Sequence, residues 1–273
     1  MKHKLIEKTL VDRLSKELIL HNFEVNRIDL DKEHNADFIL NGDKVHHIFG
    51  VRFLHYEKNI ALESDIIASY DEVTELAKKV VSWESKYFKD YLAMSSRLGI
   101  ALNPKNKDGF FNDNDCLQIE LEPNEKSIDR ALSILMKKFF RNGALSFIEK
   151  TNTIQKADFI TNSWVRKGEP MRLLTYYPHV PWQMTTGIVL AKLTKNPRYA
   201  EILDVYQDFI RDRLSPDSER IKDFKAFVKY FDVSSAVSVS AESPASGTLV
   251  SQFDKSSSKS NSPKKQQDKP KKK

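Results

Sequence analysis

Residues 36–53, ADFILNGDKVHHIFGVRF, constrain the fold more than any other stretch. Ala36, Phe38 and Leu40 alternate with Asp37 and Ile39, and Asn41-Gly42-Asp43 then interrupts the run. The following residues place Val45, His47, Phe49, Val51 and Phe53 on one face, with His46, Ile48, Gly50 and Arg52 on the other. Period-2 alternation on both sides of an Asn-Gly pair predicts two antiparallel strands joined by a tight primed turn. A hairpin with one apolar face needs helices packed against that face, so the surrounding segments are read for amphipathic helices.

Ile6, Leu10, Leu14 and Leu18 predict a helix over Lys4 to His21, and Phe23 to Leu30 reads as a strand. After the hairpin, apolar residues at helical spacing (Ile66, Tyr70, Val73, Ala77, Val80) predict a long helical region from Leu62 to Met94. Leu98 to Asn103 and Cys116 to Leu121 read as strands. A helix is expected to start at Ser127, carry Ile128, Leu132, Leu135, Met136 and Phe139, and stop at Arg141-Asn142-Gly143; LSFIE then reads as another strand. Beyond residue 150 come a short helix over Lys156 to Val165 and an extended piece over Met171 to Tyr177. Helices over Gln183 to Leu193, Tyr199 to Leu214 and Asp217 to Phe231 follow.

The expected fold is therefore α/β of the α+β kind. A mixed β-sheet over residues 1–150 is flanked by helices, 151–233 form a helical extension or subdomain, and 234–273 a disordered basic tail. Charge supports that last boundary. From Ala241 onward eight lysines stand against Glu242, Asp254 and Asp268, so five of the chain's six net positive charges lie there. A segment rich in Ser, Lys, Pro and Gln buries too little apolar surface to offset its ordering entropy. Its lysines, Lys264, Lys265, Lys269, Lys271, Lys272 and Lys273, suit nucleic acid or another anionic surface. Cys116 is the single cysteine, which fits a reducing compartment, and the N-terminus is charged throughout. No apolar run reaches transmembrane length, so a cytoplasmic location is expected.

The order helix, strand, Asp-bearing strand, hairpin, strand and long helix over about residues 4–103 resembles the PD-(D/E)XK nuclease superfamily. In that superfamily an Asp near the start of one strand is followed by Glu-x-Lys on the next. The resemblance implies a magnesium-dependent cut of a phosphodiester, with Asp37 in the first position. The second motif falls at Gly50-Val51-Arg52, where glycine replaces the carboxylate and Arg52 the lysine. Under the resemblance a displaced acid, Glu63 or Asp65, would take the missing role.

His34, His46, His47 and His55 lie close in sequence, but there is no HExxH and no Cys/His quartet, so no metal ligands are assigned. No cofactor is expected, magnesium entering only with the nuclease reading. Tyr176, Tyr177 and Trp182, set among Pro178 and Pro181, form a stiff aromatic stretch suited to a protein partner. The functional expectation is a non-catalytic binding or adaptor protein of a cytoplasmic complex, with the α/β body for partner contact and the tail as tether. The alternatives are a metal-dependent nuclease or its inactive DNA-binding relative, and a nucleic-acid binder acting through the tail.

Overall fold

A computed structural model describes residues 3–57, 59–80, 93–102, 117–122, 124–169, 180–213 and 219–241. Helix α1 (His3–Ile19) precedes four strands, β1 (Glu24–Asp29), β2 (Asn35–Asn41), β3 (Val45–His55) and β4 (Ile60–Tyr70). Each pairs antiparallel with the next, and β5 (Met94–Arg97) and β6 (Ile119–Leu121) share the far side of β4 end to end. The fold is α+β, with β1 at one edge of the sheet.

The hairpin forms where alternation predicts it, in register from Asn35 opposite Arg52 to Asn41 opposite His46. Its turn differs from the primed type: neither Asn41 nor Gly42 has a positive φ. Glycine is needed here for space. The Gly42 amide donates to the Val45 carbonyl oxygen at 3.1 Å, and a Cβ at Gly42 would lie 2.6 Å from that oxygen.

β4 is the largest departure from the helix expected over Leu62 to Met94. Its apolar residues fit helical spacing, but Leu62, Ser64, Ile66, Ala68 and Tyr70 also alternate with Glu63, Asp65, Ile67 and Ser69. Eleven aligned positions against β3 satisfy both backbones, and this long-range pairing overrides local propensity. Helix α2 (Asp71–Val80) begins only after Tyr70.

Two short segments also switch type. Leu98–Ala101 is a single helical turn, α3, where a strand was expected. LSFIE lies in helix α5 (Leu145–Thr151), because the helix expected to stop at Gly143 continues instead. Helix α4 (Glu125–Ile134) runs through a π-helical stretch, Leu135–Ala144, directly into α5. At Gly143 the side chains of Leu98 and Leu102 pack directly on the helix, so the glycine serves as a contact point for α3. The start of α4 lies slightly upstream of Ser127. Asn124 caps it by accepting from the Ser127 amide at 2.8 Å, while Ser127 Oγ accepts from the Glu122 amide at 2.9 Å.

Helices α6 (Ile154–Asn162), α7 (Val180–Leu193), α8 (Tyr199–Arg213) and α9 (Glu219–Ala241) follow, with α9 continuing past Ser234. One continuous apolar cluster joins Ile6, Leu10, Leu14 and Leu18 of α1 to the inner sheet face, the α4–α5 rod and the C-terminal helices as far as Phe231. Phe140 is a central element, with Phe23 and Phe49 meeting its ring edge-on at 5.6 Å. Among the described residues no helix is long and apolar enough to cross a membrane.

Candidate functional site

Strand register places Asp37, Arg52, Glu63 and Asp65, all selected from the sequence, on one sheet face, opposite the core. Asp37, Gly50, Asp65 and Arg97 form a row across β2, β3, β4 and β5, and Asn35, Arg52 and Glu63 form the row beside it. Gly50 gives the acids room. A Cβ there would lie 2.1 Å from Asp65 Oδ1 and 3.3 Å from Asp37 Oδ1, so both carboxylates lean over the one position lacking a side chain. Arg52, Glu63, Ser64, Asp65 and Arg97 line a small pocket of about 60 Å³. Glu63 accepts from Gln118 Nε2 at 2.8 Å, and Ser64 Oγ donates to the Gly50 carbonyl at 2.9 Å.

The adjacent histidines split between the two faces, as alternation requires. His46 contacts Asn41 Oδ1 at 3.1 Å and Asp71 Oδ1 at 3.2 Å. His47 is buried against Thr151 Oγ1 at 3.1 Å, and burial, followed by the charge of His46, pushes its pKa down to about 4. Thr151 Oγ1 donates to the Phe147 carbonyl, so it accepts from His47, whose proton therefore sits on Nε2. Neutral His47 joins Leu40, Val45, Tyr70, Ile148 and Ile154 in lining a cleft of about 580 Å³.

The other expected partner residues are divided. Trp182 lies in the first turn of α7. Tyr176, Tyr177 and the six tail lysines lie outside the described residues. Among the described residues, exposed apolar groups occur at α6, where Phe159 is 71% and nearby Trp164 63% exposed, and also at the end of α1 and on β1. Ile19 is 58% exposed, Leu20 76%, Val25 49% and Ile28 46%. A bulge between Val25 and Arg27 resets the strand, so Val25 pairs with Phe38 and Ile28 with Ala36. Both side chains thereby share one face although they are three residues apart.

A third cluster was missed by sequence reading. Glu7 of α1, His34 in the β1–β2 connection and His55 at the end of β3 bring one ligand atom each within 4.8 Å of the others. The Glu7 side chain is fully buried. Its Oε2 lies 3.3 Å from His34 Nδ1, and its Oε1 2.5 Å from His55 Nε2. The latter contact is short but off the ring N–H direction, so Oε1 has no hydrogen bond. The two rings stand 4.2 Å apart, and the His3 ring lies 5.4 Å from that of His55. His34 holds a left-handed backbone with φ of 50°, fixed by the Phe53 amide donating to its carbonyl at 2.8 Å. The available signal was Glu7 itself, a carboxylate in line with Val11, Leu14 and Leu18 on the buried stripe of α1.

No protein-family model, curated protein or solved structure matches the chain.

Proposed function

We propose that the protein is a non-catalytic binding protein that receives an extended, apolar-alternating segment of a protein partner along β1, with the lysine-rich tail as tether. One observation carries this reading: the edge strand presents Val25 and Ile28 on one face, both about half exposed, beside Ile19 and Leu20. Edge strands are commonly protected by charge or by a bulge, and β1 has both, with Glu24, Arg27 and Asp29 among its six residues. Here the bulge aligns two apolar side chains with each other. Strand addition would give affinity through main-chain hydrogen bonds and selectivity through these side chains.

The test compares the wild-type chain with Val25→Lys/Ile28→Lys in capture from the native host. A stoichiometric partner, retained after deletion of residues 242–273, cross-linked to β1 and lost in the double variant, supports the reading. Both side chains already meet water, so the variant should stay folded, as circular dichroism would verify. Unchanged capture in the folded variant overturns it.

A second reading rests on a different observation, the convergence of Asp37 and Asp65 over Gly50. Two carboxylates with Arg52 and Arg97 nearby suit magnesium and a phosphodiester. Magnesium-dependent cleavage of DNA, abolished by Asp37→Asn and by Asp65→Asn, would favour this nuclease role over the binding role.

A further inference from the structure

We propose that Glu7, His34 and His55 bind a transition-metal dication of the zinc type, with His3 supplying the fourth ligand. The site is separate from both surfaces discussed above.

Three features point to a cation. First, Glu7 is wholly withdrawn from water, yet one of its oxygens has no hydrogen bond. Leaving a buried carboxylate oxygen unsatisfied is costly, and an ion would satisfy it directly. Second, the short His55 contact is not directed along a hydrogen bond. Two bare lone pairs at 2.5 Å would repel, so a positive charge, a proton or a metal ion, belongs between the carboxylate and the ring. The His34 Nδ1 to Glu7 Oε2 separation of 3.3 Å matches the spacing of two ligands on a tetrahedral dication, about 3.3 Å for bonds of roughly 2.0–2.1 Å, whereas His55 Nε2, 2.5 Å from Oε1, must draw back to reach that spacing. Third, the donors come from three separate elements, and one is held in a strained left-handed backbone.

Donor chemistry selects the metal class. Two imidazole nitrogens and one carboxylate suit zinc or cobalt, whereas magnesium and calcium prefer oxygen donors throughout. His3 sits one helical turn before Glu7, so the two share a face of α1; its ring lies outside the 4.8 Å group of the other three and must swing inward to ligate. With His3 engaged the site is closed and four-coordinate, the arrangement of a structural metal clasp. It would fasten α1 to the β1–β2 connection and the end of β3.

The experiment uses the full chain, stripped with a chelator and titrated with Co2+, following the ligand-field absorption bands, and then with Zn2+ in competition. One equivalent of Co2+ is expected, with tetrahedral band intensity, displaced by Zn2+ but not by excess Mg2+. Glu7→Gln and His55→Gln should each weaken binding by more than about 100-fold, since loss of an outer-shell partner alone costs 10–100-fold. His3→Gln, as the loss of a direct ligand, should likewise weaken it by more than about 100-fold. Should Glu7→Gln fail to fold, the partly exposed His55 carries the test. No stoichiometric Co2+ or Zn2+ binding, or unchanged affinity in folded His55→Gln, overturns the proposal. Unchanged affinity in His3→Gln overturns the assignment of the fourth ligand.

Discussion

Glu7 and Asp158 are both carboxylates taken out of water, and their surroundings differ. Asp158 of α6 is 6% exposed, and both its oxygens are occupied. Asn162 Nδ2 donates to Oδ1 at 2.6 Å, while Thr194 Oγ and Asn196 Nδ2 donate to Oδ2 at 2.9 and 2.7 Å. Neutral donors from α6 and the α7–α8 connection satisfy the charge, so this acid is a structural tie. Glu7 is buried more completely, faces imidazoles, and keeps one oxygen without a hydrogen bond. Burial alone does not mark a functional acid. What distinguishes the two is whether the fold itself completes the oxygen's partners.

The largest predicted effect lies on the satisfied side. Asp158→Ala leaves three buried or half-buried donors without their acceptor and should cost about 3 kcal/mol in denaturant unfolding, with metal affinity unchanged. Glu7→Gln should behave oppositely: with chelator present, its stability should fall within about 1 kcal/mol of wild type, because the change removes a buried charge. Equal costs for the two substitutions would break the comparison.

A contribution of similar size comes from His47, an imidazole kept neutral by burial rather than by a ligand. Its folded-state pKa of about 4 lies below the ordinary 6.5, so the unfolded chain binds the extra proton. The contribution is present in full above pH 6.5, declines as pH falls, and levels off near pH 4, for a loss on the order of 3 kcal/mol. Equilibrium unfolding across that range should show the slope, and His47→Gln should flatten it. Zinc comes next. At 100 times its dissociation constant it should stabilise the wild-type chain by about 2.7 kcal/mol, and Glu7→Gln by no more than about 0.4 kcal/mol. Smallest is Gly50→Ala, whose methyl must displace the Asp65 carboxylate, at a cost of about 1 kcal/mol.

The sequence carried those parts of the fold whose signal is local. The hairpin, the Ile6–Leu10–Leu14–Leu18 stripe of α1, and helix α8 follow from period and breakers alone, whereas α9 runs on to Ala241, past the expected end at Phe231 and into the stretch from 234 read as disordered. β4 did not, because Ile66 and Tyr70 satisfy helical and strand spacing together and only pairing with β3 decides between them. The candidate sites divide in the same way. Asp37 was legible from its place at the head of a strand and Asp65 was named beside Glu63 as a displaced acid, but that Asp65 meets Asp37 over Gly50 follows only from the β3–β4 pairing. Glu7, His34 and His55 stand 27 and 21 residues apart along the chain, on three elements whose closure no local pattern encodes.

If an ion held jointly with His34 and His55 balances the charge of Glu7, it should be visible directly. A crystal of the full chain grown with zinc, with anomalous data collected on both sides of the zinc edge, tests it most directly. An anomalous peak is expected roughly 2.0–2.2 Å from Glu7 Oε1, from a His34 nitrogen and from a His55 nitrogen. A map with no peak there, and a straight N–H···O hydrogen bond from His55 to Glu7, would contradict it.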